Sequence, residues 1–72
     1  MDVRKTIGKN FARLRKEKGL TQHQVAEASG FTQAYIGWLE QGRRNPTAIS
    51  LWHLAQAVDA MPADLLEPLP EE

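Results

Sequence analysis

The chain has 72 residues, 42% of them hydrophobic and 25% charged, which suits one small globular domain and leaves no room for a second. It has no cysteine and two histidines, His23 and His53; this excludes disulfide staples and thiolate metal sites and leaves little for an enzyme to use. The formal net charge of zero conceals a polarised chain, because all nine basic residues lie in positions 1–45 beside four acids, whereas positions 46–72 hold five acids and no base. Such a molecule can present a positive face to a polyanion and turn its acidic end away.

Helical spacing dominates, and no segment alternates as a half-buried strand does. Val3, Ile7, Phe11 and Leu14 form one stripe of a first helix, which Gly19 ends. Lys5, Lys9, Arg13 and Lys16 form a second, basic stripe, expected as a solvated face, with a place near a phosphate backbone as the alternative. Thr21 opens a second helix, with Thr21 and Gln24 as a capping box and Leu20 and Val25 as a hydrophobic staple. Gly30 ends it after one short run. Thr32 opens a third helix, with Phe31 and Ile36 as its staple pair, and Gly42 ends that one. Thr47, after Pro46, is the expected N-cap of a fourth helix whose core stripe is Ala48, Leu51, Leu54, Ala55 and Val58. Asp59 must make the next turn without a glycine. Pro62 to Leu66 suggests a last helical turn, and the segment from Glu67 to Glu72 is expected to fray.

Two short helices joined by a glycine turn read as a helix-turn-helix. Ala26 must be small where the next helix crosses, Gly30 supplies a positive φ, and Val25, Ile36 and Leu39 fix the angle between the two helices. With these residues in place, the chain resembles the Cro/repressor-type helix-turn-helix proteins, the xenobiotic-response-element family with the lambda-repressor-like fold. IGKNFARLRKEKGLTQ, YIGWLEQGRRNPT and ISLWHLAQAVDAMPADLL carry the resemblance, from about Ile7 to Leu66. Ser29, where an apolar residue is usual, and Asp59, where glycine is common, depart from the pattern.

The resemblance implies an all-α, five-helix domain over residues 1–67, followed by an acidic tail at 68–72. It implies that the third helix enters the major groove with Thr32, Gln33, Ala34, Gly37 and Trp38 toward the bases. Gln33 is the expected base reader, because a glutamine amide pairs bidentately with adenine, and Ala34 is small enough to meet a thymine methyl. Thr21, Gln22, Tyr35, Gln41, Arg43, Arg44 and Arg15 are expected on the sugar-phosphate backbone, with Gln22 also bracing Gln33. Arg15 and Glu40 occupy the positions of a family ion pair that locks the recognition helix. A stripe of Ile49, Trp52, His53 and Gln56, continued by Leu65, Leu66 and Leu69, is expected to pair two copies of the chain, since one short core cannot bury all of it.

The expected function is therefore a transcriptional regulator that binds double-stranded DNA as a homodimer, of the small phage-like repressor or restriction-modification controller type. The alternative is an antitoxin that binds both operator DNA and a toxin protein. No cofactor or metal is expected: neither histidine has a plausible metal partner, and Ser50, His53 and Asp59 would be helical neighbours without a pocket. The amino-terminal stretch has no apolar run of signal-peptide length, and Asn45 to Val58 is too short and too polar to cross a bilayer, so a cytoplasmic protein without membrane contacts is expected.

Overall fold

A computed structural model describes residues 1–70; Glu71 and Glu72, the end of the expected acidic tail, lie outside the described residues. Five helices follow one another: α1 (Val3–Glu17), α2 (Gln22–Ser29), α3 (Gln33–Glu40), α4 (Ala48–Ala57) and α5 (Pro62–Leu65). No strand is present among the described residues. The boundaries follow from capping chemistry. Asp2 Oδ1 accepts from the Arg4 N–H, Thr32 Oγ1 from Tyr35 and Thr47 Oγ1 from Ser50. Thr21 and Gln24 form the expected reciprocal box, each side chain accepting from the other residue's backbone N–H. Each such cap stabilises its helix by about 1 kcal/mol. α5 starts on Pro62, and the Asp64 carboxylate accepts from the Met61 N–H at 2.8 Å.

Left-handed backbone occurs at Gly19, Gly30, Gly42 and Asp59 among the described residues, and two of these turns matter most here. Gly30 sits at φ +80° between α2 and α3, where a glycine pays no steric penalty. Asp59 takes φ +56° after α4, in the role the sequence assigned to it, and the Lys18 ammonium lies 3.3 Å from its carboxylate.

Phe11, Ile36, Leu39, Leu54, Val58 and Leu65 are completely enclosed and Val25 of α2 nearly so, and all five helices contribute to one core. α1 packs on α3 and α5, and α4 packs on α2 and α5. Val3 and Ala48, expected in core stripes, are exposed; both lie in the first turn of their helix, beyond the edge of the packed layer. Ser29 accommodates its polar group by donating its hydroxyl to the Val25 carbonyl at 2.7 Å.

Leu65 is the main correction. It was expected on a partner surface, yet it has no exposed area. α5 folds back over α1 and α4, and a buried Asn10 fixes it there. The Asn10 amide donates to the Leu65 carbonyl at 2.9 Å and to the Glu67 carbonyl at 2.8 Å. A small domain has few large residues to close its core, and Leu65 is one of them.

α1 and α3 cross at Gly8. A Cβ there would run into the backbone carbonyl oxygens of Leu39 and Glu40, whereas a Cβ at Gly37 would meet nothing within 4 Å. Both glycines are helical, and alanine is the better helix former by about 1 kcal/mol. Gly37→Ala should therefore hold or raise the melting temperature. Gly8→Ala should lower it by several degrees, because backbone must move to admit the methyl. Equal effects in thermal denaturation would mean that the two helices do not meet at Gly8.

Candidate nucleic-acid interface

The helix-turn-helix is built as its spacing requires. Val25, Ile36 and Leu39 are buried, and Ala26 is 4% exposed beneath the crossing helix. Burying Ile36 and Leu39 turns the opposite side of α3 outward. Thr32, Gln33, Ala34, Trp38 and Gln41 are exposed there, and Gly37 and Tyr35 are half-buried beside them. Trp38 keeps 46% of its surface exposed, which is costly for an indole in water and unneeded by the core.

An ion pair at the far end of α3 fixes the angle of this face. Arg15 Nε donates to Glu40 Oε2 at 2.7 Å and Nη2 to Oε1 at 3.0 Å, a bidentate pair with little side-chain exposure on either partner. The third arm of the guanidinium donates to the Leu20 carbonyl at 2.9 Å. The Glu40 carboxylate beside it raises the Arg15 pKa above its ordinary value, against the opposing effect of burial. Gln22 departs from expectation. The resemblance implied a brace to Gln33, but the Gln22 amide donates to Glu40 Oε1 at 3.0 Å. One carboxylate thus gathers α1, the start of α2 and the end of α3, and Gln33 stays exposed.

At the start of α2 the Thr21 N–H and hydroxyl are occupied by the capping box. The N–H groups of Gln22 and His23, in the first turn, are the ones that have no intrahelical acceptor.

Beyond α3 the chain doubles back, and the Arg43 N–H donates to the Trp38 carbonyl at 2.9 Å. This return places the Arg44 guanidinium 5.2 Å from the Tyr35 ring centroid and 5.9 Å from that of Trp38, a double cation–π contact. Phe31 stacks on Tyr35 as well, with the two ring centroids 4.4 Å apart. Burial raises the Tyr35 hydroxyl pKa, and the charge of Arg44 works against the rise. Trp38, Arg43 and Arg44 together line a surface cleft of about 230 Å³. Arg43 is also held on the surface by Gln41, whose Oε1 accepts from Nη1 at 3.3 Å.

Leu66, at the end of α5, is exposed beside the buried Leu65, and on α4 Ile49 is 72% and Trp52 47% exposed. His53 and Gln56 are exposed on the same helix, and Leu69 is half-buried. Removing Leu65 from the expected partner stripe leaves the other six residues of it at the surface.

The sequence reading did not find the Phe31–Tyr35–Arg44–Trp38 stack, the bond from Gln22 to Glu40, or Asn10. The stack carries a faint signal, three aromatic residues and two arginines within fourteen positions. Asn10 carries one as well, a polar residue on the apolar side of α1 next to Phe11.

The ion pair yields a quantitative expectation. Arg15→Ala or Glu40→Ala alone strands a poorly solvated charge and should cost about 3 kcal/mol. The double variant should lose clearly less than the sum of the two, by at least about 1 kcal/mol in chemical denaturation. Additive, near-zero losses would make the pair a surface contact with no hold on α3.

Residues 6–69 match the family described as a helix-turn-helix domain. An uncharacterized HTH-type transcriptional regulator, y4dJ, of Sinorhizobium fredii is 56% identical over 71 residues, covering 99% of this chain and 92% of that protein. The crystal structure of the restriction-modification controller protein C.AhdI from Aeromonas hydrophila superposes with a TM-score of 0.82 at 35% identity, covering 86% of this chain and 94% of that one. The controller protein C.Esp1396I, solved as a tetramer in complex with its natural 35 base-pair operator, superposes with a TM-score of 0.79 at 25% identity, covering 88% and 83%. With the fold, the buried helix-turn-helix positions and these likenesses in agreement, the chain belongs to the Cro/repressor-type helix-turn-helix family of DNA-binding transcriptional regulators.

Proposed function

We propose that the protein binds a near-palindromic operator in double-stranded DNA as a homodimer and thereby controls transcription, in the manner of a small phage-like repressor or restriction-modification controller. The observation that carries this reading is the outward side of α3. It brings a free glutamine, a small alanine and an exposed indole together with the Arg43–Arg44 corner, and the Arg15–Glu40 pair holds it at a fixed angle. Among relatives, the operator-bound controller tetramer supports both DNA binding and self-association. The reading implies action in the cytoplasm, and no helix among the described residues is long and apolar enough to cross a membrane.

Each residue has a role that its surroundings support. Gln33 and Ala34, at the amino end of α3, read base edges, with Thr32 and Gly37 close enough to admit the groove wall. The Trp38 ring lies against sugar or a thymine methyl. The start of α2, at Thr21 and Gln22, receives a phosphate on the Gln22 and His23 N–H groups. Arg43, Arg44, Gln41, Tyr35 and the outer edge of Arg15 hold the backbone. The two aromatic rings clamp Arg44 before DNA arrives, so less side-chain freedom is lost on binding.

A monomer reads too few base pairs for genomic specificity. Ile49, Trp52, His53, Gln56, Leu66 and Leu69 form the surface that pairs two copies. Pairing there sets the two α3 helices about 34 Å apart, one turn of DNA, and points the acidic carboxyl-terminal segments away from the phosphates.

Selection from random duplexes at fixed salt tests the central reading. It should return a two-fold symmetric site, and affinity for that site should fall with a log–log salt slope of about −4 or steeper, as roughly five phosphate contacts per dimer require. Gln33→Ala should cost roughly 1–3 kcal/mol and relax one base position in each half-site. A flat salt response, or an unchanged selected sequence with Gln33→Ala, would overturn the assignment. Sedimentation tests the dimer separately. Trp52→Ala and Ile49→Glu should stay folded but run as monomers at micromolar concentration and bind the operator less tightly. Folded variants that remain dimeric with unchanged affinity would move the interface elsewhere, with α1 the next candidate.

A further inference from the structure

A second cleft, of about 410 Å³, lies between the first half of α1 and the carboxyl end of α3, lined by Lys5, Lys9, Glu40, Gln41 and Gly42. Lys5 and Lys9 stand one helical turn apart on the exposed side of α1. They differ from most of their neighbours in forming no ion pair, although Glu40 lines the same cleft. Arg4 lies near Asp2, Arg13 near Glu17, Arg15 near Glu40 and Lys18 near Asp59, but neither Lys5 nor Lys9 has an ion pair among the described residues. Two like charges at this spacing repel each other, so the arrangement costs stability unless an anion joins them.

The only acid in the cleft is already neutralised. Both oxygens of Glu40 accept from Arg15, and Oε1 also accepts from Gln22. Gln41 lines the cleft with its oxygen engaged by Arg43, which leaves its amide N–H groups as donors. Gly42 closes the floor. A Cβ there would meet the Lys5 side chain at 2.8 Å, so the chain passes directly against the lysine stem. The cleft therefore combines two unneutralised cations and an amide donor, and it adjoins the Arg43–Arg44 corner.

We propose that this cleft binds a backbone phosphate of the operator through Lys5 and Lys9, a contact that α1 adds to those made by α2, α3 and the Arg43–Arg44 corner and that shares Gln41 with them. The proposal rests on the duplex-binding reading above. Lys5 and Lys9 supply charge, and Gln41 supplies a directed hydrogen bond; none of them touches a base edge. The contact therefore adds affinity equally for all sequences and leaves specificity to α3.

The test is Lys5→Gln/Lys9→Gln in the full chain, with Arg4→Gln/Lys18→Gln removing the same formal charge elsewhere. On the selected operator, the cleft variant should bind roughly tenfold more weakly at about 0.1 M salt. Its salt slope should be shallower by about 2, from one phosphate lost per half-site. The selected sequence should not change, and the control should stay within about twofold of the parent. Neutral methylphosphonates placed one at a time along the operator locate the contact. At one position per half-site, substitution should weaken the parent protein but not the cleft variant. Equal weakening by the control, or an unchanged slope in the cleft variant, would overturn the proposal while leaving operator binding intact. Failure of the parent protein itself to bind any duplex in a salt-dependent way would overturn both. Circular dichroism of each variant separates loss of binding from loss of fold.

Discussion

One carboxylate sets the orientation of the surface on which the functional reading depends. Glu40 ends α3, and its two oxygens take hydrogen bonds from Arg15 on α1 and Gln22 on α2. Hydrophobic contacts alone fix a short helix weakly, because apolar packing has no direction and an eight-residue helix offers few side chains to it. A bidentate guanidinium–carboxylate pair is directional. It holds the end of α3 while Ile36 and Leu39 hold its middle, leaving rotation about the helix axis little freedom. Gly8 belongs to the same joint. A residue without a side chain lets α1 lie directly against the backbone of Leu39 and Glu40, at the same end of α3 that Arg15 holds.

The second organising element is cationic. Arg44 is gripped by Tyr35 and Trp38, while Arg43 is steered by Gln41. Side chains this long normally sample many rotamers, and ordering them opposes binding. Here the folded chain has already ordered much of that corner. The surface of Ile49, Trp52 and Leu66 lies on the part of the chain, positions 46–72, that contains no basic residue. The asymmetry is a property of chain order: every base precedes residue 46, and five of the nine acids follow it.

Much of this was legible in the sequence because it is local. Thr21, Thr32 and Thr47 each signal a helix start by a hydroxyl three residues before the N–H it accepts from, and the glycine turn between α2 and α3 needs only its neighbours. The pairing of Arg15 with Glu40 was legible only through likeness to a family, since their separation in sequence gives no hint of contact. Leu65 was misread for a related reason. A leucine pair near a chain end looks like surplus apolar surface until the path of α5 is known, and that path is set by Asn10, 55 residues away. The brace attributed to Gln22 failed on geometry, because Glu40 offers a charged acceptor and Gln33 only a neutral amide. Gly8 could have been suspected, because a glycine inside an amphipathic helix weakens it and usually answers a packing need.

The clasp from Asn10 to the carbonyls of Leu65 and Glu67 also bears on the order in which the molecule assembles. Joining positions so far apart means closing nearly the whole chain into a loop, and the entropy of that closure must be met before the contact stabilises anything. The helix-turn-helix needs only neighbouring segments and can collapse early, whereas α5 docks late. In the native ensemble the sequence runs backwards. α5 is then expected to open before the α2–α3 pair, and amide exchange protection should be lower in α5 than in the helix-turn-helix.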